Sequence, residues 1–507
     1  MTSLSIGLDM KARQSGAGGG GPVSPYDPAS DAIFAGFTIP PTEARKTSID
    51  TCVKALKLPV NVWDKLDELQ LHAAADSQAA LVNWVKPGTY NGVLINSPAF
   101  TADRGFTGAN TAYIDSLFLP TTAPSPKYVL DSANLFAWSL TSTGIDADIA
   151  GADTSAAIAF QPRRTSNVNI VRMHQGTTNI SVASTDATGL WADDRSSSVL
   201  TTLYRNGVSQ GTNAAASTTL ANFKLSFLKG QGTFWTGQIA AGGFGQSLSA
   251  AEHTALYNAL AGYIADIAVE KIVAAFTTPP TAGRVALIRA CVFDLVKAGV
   301  WDKLDEYQEH AAADSQAALV NWVKPGTYNG TLVNSPAFTA DQGFTGAASK
   351  YIDTGFNPTT APTPKFTQND ASLFAWSLTA TAITGGILNA TTTSYIYPKS
   401  AFNNNVYAIV NGQGVVAAIA DALGLTTACR ASSTSMTAYR NAVSIGTNAG
   451  ASVAPGNATF RFGLSGTTEY WTGGVMAGGG FGGNLTAADV TALYNAKRAY
   501  LTGVGVP

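Results

Sequence analysis

The sequence predicts a mainly β protein built as two tandem β-sandwiches, each opened and closed by helices. Three observations carry that expectation. The segment Asp64–Ala109 recurs at Asp302–Ala347 with a constant offset of 238 positions and 41 of 46 residues identical, a unit far longer than a solenoid repeat. The 507 residues include 50 Gly and only 13% charged residues, a composition suited to many short strands joined by turns. Apolar residues alternate along Phe136, Trp138 and Leu140, along Phe374, Trp376 and Leu378, and along Phe223, Leu225 and Phe227, each read as a half-buried strand.

The expected division is an arm over residues 1–30, a first unit over 31–268 and a second over 269–507. Each unit is long enough to bury its own core. Within the arm, the Gly/Pro/Ser tract Ser15–Pro28 cannot form a core and reads as a flexible tail or an extended peptide that docks on a partner.

Each unit then opens in the same way. FTIPPTEAR (Phe37–Arg45) and FTTPPTAGR (Phe276–Arg284) place a Pro-Pro stop before a helix start. Ile49, Cys52, Val53 and Leu56, with Ile288, Cys291, Val292 and Leu295 as equivalents, recur at helical spacing. A second short helix is expected over Trp63-Asp-Lys-Leu-Asp-Glu and Trp301-Asp-Lys-Leu-Asp-Glu. A third is expected to start at Asp76 or Asp314 as N-cap.

After Lys86-Pro-Gly and Lys324-Pro-Gly the pattern turns to strands. Tyr204-Arg-Asn-Gly-Val predicts a tight hairpin, since both turn positions need positive φ. Tyr439-Arg-Asn-Ala-Val has Ala at the second of them, which predicts a looser or strained turn. Each unit closes on a Gly-rich strand and a helix introduced by a capping box, Ser249-Ala-Ala-Glu252 or its near copy Thr486-Ala-Ala-Asp489.

A net charge of −2 without basic runs excludes an electrostatic footprint for nucleic acid. The sequence contains no apolar run of the roughly 20 residues needed to span a bilayer, so membrane insertion is not expected. The opening stretch MTSLSIGLDMKARQ lacks the apolar core of a signal peptide, so the chain is expected to be made and retained in a cytosol, or released by lysis. Cys52, Cys291 and Cys429 are too far apart for a disulfide framework or metal site, and Cys52 and Cys291 read as buried small hydrophobes.

Several residues together carry a resemblance. They are Leu203-Tyr-Arg-Asn-Gly-Val, the Trp235-Thr-Gly turn, Gly242–Gly245 and the terminal Leu-Ser-Ala-Ala-Glu…Leu-Tyr helix, all recurring in the second unit. With the FTIPPTEARK…NSPAFTADRGFTG opening, each unit resembles the laminin G-like or concanavalin A-like sandwich modules of bacteriophage virion proteins. The resemblance covers all but the arm. It implies a jelly-roll of two antiparallel sheets and a virion structural or adhesive role, sometimes with carbohydrate binding.

No catalytic, cofactor or metal residues are expected. Glucanase-type sandwiches need Glu-x-Asp-x-x-Glu on one strand, which is absent. Asp64, Asp67 and Glu68, repeated at Asp302, Asp305 and Glu306, read as the solvated face of a helix. His72 and His310 read as structural cations at that helix's C-terminal end. His174 and His253 have no counterparts in the second unit. Ser247 lies in no nucleophile elbow, and the Gly-Gly-Phe-Gly stretches lack the Lys-Ser/Thr of a phosphate loop. Trp191, in the polar stretch GLWADDR with no Trp in the matching ALGLTTACR, is the one candidate for stacking on a glycan ring.

Thr141–Thr201 and Thr379–Thr437 hardly align, and Leu69 and Leu71 face Tyr307 and Glu309 across the repeat, which favours different neighbours for the two copies. The expected function is that of a non-enzymatic phage decoration, collar or tail-fibre protein. It would be anchored to other virion proteins by the arm and assembled as a homo-oligomer, a trimer being one expected form. The second reading is a lectin-like adhesin for host surface polysaccharide.

Overall fold

A computed structural model describes residues 24–506 apart from 154–157, 177 and 466–468. Of the arm expected over 1–30, residues 1–23 lie outside the described residues. The remainder is tied to the first unit. Asp27 caps the helix α1 (Pro28–Ala35) and pairs with Lys57 at 2.6 Å, and the Tyr26 hydroxyl donates to Glu43 at 2.7 Å.

The protein is a tandem β-sandwich with helices, antiparallel in every named strand pair. In the first unit the larger sheet runs in the spatial order Val208–Asn213, Leu200–Arg205, Gly189–Ser197, Ala133–Ser139, Gln238–Gly245, Gly105–Thr107, Ala99–Thr101, with Leu66–Gln70 also paired to Gln238–Gly245. The second unit repeats this order strand for strand. Its smaller sheet has seven strands among the described residues, against four in the first unit, so the copies differ mainly there.

Helices cover the outer face of each larger sheet. The helix α2 (Glu43–Lys57) starts where the Pro-Pro signal places it, with Thr42 accepting from the Arg45 N–H. The helix α3 (Ala250–Ala274) carries the Ser249/Glu252 capping box, α4 (Ala282–Lys297) is capped by Thr281, and α5 (Ala487–Gly503) carries the Thr486/Asp489 box. This third layer explains why Ala133–Ser139 and Ala371–Ser377 are buried on both faces and not half-buried as their alternation predicts. Leu135 and Ala137 face the core between the sheets, while Phe136 and Trp138 face the helices.

Two expected helices are absent. Trp63–Lys65 makes one 3₁₀ turn and the chain then runs as the strand Leu66–Gln70; Trp301–Lys303 leads into the strand Leu304–Glu309. Asp76 and Asp314 do accept backbone N–H groups two and three residues on, but only the 3₁₀ turns Ala79–Leu81 and Ala317–Leu319 follow. Pairing with the closing strand overrides helical spacing here. The glycines of that strand permit it, since a Cβ at Gly243 or Gly245 would collide with the carbonyls of Glu68 or Lys65.

The boundary expected at 268/269 falls inside α3. This helix of 25 residues is about 37 Å long. Its first part closes the first unit, and its last two turns occupy the place before α4 that α1 occupies before α2. One apolar cluster runs under α1 to α5, from Ile33 to Val506. Each sandwich keeps a separate core between its sheets.

The two hairpins bear out the turn chemistry. Asn206 and Gly207 have φ of 51° and 76°, and Asn441 and Ala442 have 47° and 65°. A side chain with Cβ costs about 1–2 kcal/mol in that region. Ala442→Gly is therefore expected to stabilise the second unit by about 1 kcal/mol, read as a higher denaturant midpoint, with no matching gain for Gly207→Ala in the first.

Candidate functional site

The densest polar cluster of each unit lies on the paired strand, not on a solvated helix. Asp67 and Glu68 are buried, as are Asp305 and Glu306. Asp67 accepts the backbone N–H groups of Lys127 and Tyr128, both at 2.8 Å, and Asp305 holds Lys365 and Phe366 likewise. Glu68, Gln70 and His72 alternate with Leu69 and Leu71, so the polar side chains enter the sandwich while the leucines face the helices. Gln70 donates to Glu68 at 2.7 Å, and the His72 Nε2 lies 3.2 Å from Gln70 Oε1. Burial raises the Glu68 carboxyl well above its usual range and lowers His72 to about 3. Burial thus disfavours the charged form of both groups, and the His72 ring sits edge-on to Phe106 and Phe227. Glu306, Gln308 and His310 repeat it. His72 and His310 are not cations at a helix end. This buried array is scaffold.

Trp191 is corrected in the same way. It is 2% exposed, lies in the first sandwich core and donates from Nε1 to the Ala187 carbonyl at 2.9 Å. Arg205 covers its ring, with the guanidinium carbon 5.0 Å from the centroid. The strand Gly189–Ser197 turns Trp191 inward, so no ring face is left for a glycan.

Ser247, Asp194 and His253 meet, but not as a nucleophile and base. The Ser247 hydroxyl donates to Asp194 at 2.6 Å, and the His253 Nε2 lies 3.1 Å from the other oxygen of the same carboxylate. Serine and imidazole each bind the carboxylate, not one another, and His253 is sandwiched against Tyr204 at 3.8 Å. The trio fastens the start of α3 to the sheet; Cys429, Asn484 and Val490 stand in its place in the second unit. Cys52, Cys291 and Cys429 are free and buried. Among the described residues no group of three or more His, Cys, Asp or Glu is placed to hold a metal ion, and no helix is long and apolar enough to cross a membrane.

Surface features remain. The units meet across two clefts of about 390 and 560 Å³. Along this junction Arg104 pairs with Asp302 at 3.3 Å, Arg45 with Glu270 at 2.9 Å, and the Tyr257 hydroxyl donates to the Lys297 carbonyl. A larger hollow of about 690 Å³ opens on the second unit between Trp376, Leu378, Gln342, Tyr494 and Arg498.

The smaller sheet of the second unit has an aromatic outer face. In Ser394–Tyr397 and Asn405–Val410, Ile396, Val406 and Ala408 point inward; on the other side Tyr395 and Tyr407 are half-buried and Tyr397 is buried. Tyr397 pairs with Tyr407 across the strands and lies 5.3 Å from Tyr395, and Asn403 donates to the Tyr407 hydroxyl at 2.6 Å. The first unit has no such face among its described residues. The alternation Tyr-Ile-Tyr and Val-Tyr-Ala-Ile-Val carried the signal, in the region where the copies diverge.

No protein-family model matches the chain. No curated protein matches it. Among solved structures, it is similar to domain 4 of an extracellular arabinanase from Geobacillus stearothermophilus, in complex with arabinotriose, at 14% identity over 38% of this chain and 98% of that one, with a TM-score of 0.25. It is similar to the binding domain of Paraclostridial Mosquitocidal Protein 1 at 9% identity over 75% and 76%, TM-score 0.31. A mutant of HCR/D matches at 9% identity over 78% and 96%, TM-score 0.32.

Proposed function

We propose that the protein is a non-enzymatic structural component of a bacteriophage particle, a decoration, collar or tail-fibre protein that presents two sandwiches in fixed relative orientation. The observation that carries this reading is the continuous helix α3 with its shared apolar cluster, which makes one stiff body of two units where a linker would leave them independent. The sequence resemblance of both units to phage virion modules supports it. Residues 1–23 would supply the attachment. Immunogold electron microscopy of intact particles tests this: the protein is expected on the particle, and a chain lacking residues 1–23 is expected to be lost from it. Particles that never carry the full chain would remove the reading.

The half-buried Tyr395 and Tyr407 favour a second role, adhesion to a surface polysaccharide, since each ring offers apolar surface on that side of the sheet, Tyr407 beside the Asn403 amide. Tyr407→Ala is expected to weaken binding about tenfold on a glycan array, the equivalent of about 1.4 kcal/mol. An array blank for the unaltered chain would end the adhesin reading and leave the structural one standing.

A further inference from the structure

The hollow on the second unit has a counterpart in the first, and there it is filled. Ala340, Asp341, Gln342 and Leu378 line it. Their repeat equivalents Ala102, Asp103, Arg104 and Leu140 line one cleft of the junction between the units. Trp376, Gly424, Asn441 and Tyr494 complete the hollow. Their equivalents Trp138, Gly189, Asn206 and Tyr257 line the other cleft. The open surface of the second unit is therefore the surface on which the first unit receives the second.

Exposure follows that difference. Tyr257, Ala261 and Gly262 are buried, whereas Tyr494 and Arg498 are half-buried and Ala499 is exposed. On the opposite side, the second unit inserts Trp301, Asp302, Lys303 and the turn after Trp322 into the junction. The first unit holds the same residues as Trp63, Asp64, Lys65 and the turn after Trp84. Asp64 is exposed where Asp302 is half-buried, and Leu58, the counterpart of Lys297, is 73% exposed.

We infer that the hollow on the second unit receives the leading face of the first unit of another copy of this chain, repeating between chains the contact made within one. The contact is heterologous, so it builds a ring or an open row according to whether the rotation closes. It does not depend on the phage reading. Two substitutions tune it. Gln342 stands where Arg104 pairs with Asp302, so the contact between chains lacks that ion pair. Arg498 stands where Ala261 is buried in the helical cluster, so it brings a charge to the contact that the junction within the chain lacks. Without the continuous helix that joins the units within a chain, the second chain binds at ordinary rather than tethered concentration. Association is therefore weak in solution and favoured where copies are crowded.

Disulfide trapping in the full chain tests the inference, because all three native cysteines are buried. Mixing Asp64→Cys with Gln342→Cys chains under mild oxidation is expected to give a mixed disulfide dimer that neither variant gives alone. Gln342→Arg, which restores the counterpart of Arg104, is expected to shift the sedimentation midpoint to about fivefold lower concentration, and Leu58→Asp to shift it upward. Only like-with-like adducts, or no adduct together with a concentration-independent monomer even for Gln342→Arg, would overturn the inference. The same monomer binding a small molecule in the hollow would assign that surface to a ligand instead.

Discussion

Lys497→Leu is expected to destabilise the second unit by about 3–5 kcal/mol, because it strands a buried carboxyl. Lys497 and Glu309 pair at 2.6 Å with neither side chain exposed. Tyr307 donates to the same carboxylate at 3.1 Å, and the Lys497 ammonium also reaches the Ala477 carbonyl at 3.2 Å. The first unit solves the same position without charge: Leu69, Leu71 and Leu260 are the equivalents, all fully buried in the helix–sheet cluster. The triple change Tyr307→Leu, Glu309→Leu, Lys497→Leu is therefore expected to recover most of the loss, since a well-packed apolar set replaces a buried ion pair at little cost. Denaturant unfolding of the three proteins decides it. A triple variant as unstable as Lys497→Leu would show that the surrounding backbone of the second unit is built around the pair.

Stability is expected to be highest between about pH 4.5 and 6.5 and to fall on both sides. Burial holds His72 and His310 near 3, below the ordinary 6.5. Below 6.5 the unfolded chain binds protons that the folded imidazoles refuse, so stability present above that pH is lost on acidification by about 1.4 kcal/mol per pH unit per group. Glu68 and Glu306 are raised well above the ordinary 4.5. Above that value the unfolded chain releases protons that the folded carboxyls keep, so stability present in acid falls as pH rises, with the same slope per group. Between the two values the opposing slopes offset each other. Asp67 and Asp305, also raised by burial, act in the same direction from about pH 3.8 upward. Glu68→Gln, which keeps the shape and removes the titration, is expected to flatten the alkaline limb of the denaturant midpoint against pH. An unchanged limb would mean that Glu68 is ionised in the folded protein.

Much of the local structure is legible from residues that act on their own backbone. Thr42, Ser249 and Thr486 cap helices at the positions their side chains predict, and Asn206-Gly207 turns as its φ preferences require. The buried ladder was misread because Asp64, Asp67 and Glu68 fit helical spacing, while Glu68-Leu69-Gln70-Leu71-His72 also alternates with period two. Charge argued for solvent, and only pairing with the glycine strand argued against it. Trp191 was misread for a related reason. Its acidic neighbours suggested an exposed turn, yet Asp193 and Asp194 are themselves buried on the same strand.

The sequence by itself determined the duplication, the sandwich class, the helix starts and the hairpin chemistry, because each depends on residues close together in the chain or on the pattern they repeat. Tertiary structure alone decided which faces are covered. The helices laid across the larger sheets buried strands that read as half-exposed, and the sandwich enclosed carboxyls that read as solvated. The continuous helix set the second unit against the first, covering there the surface that is open on the second. Burial is a property of the neighbours a residue acquires, and two nearly identical stretches acquire different ones.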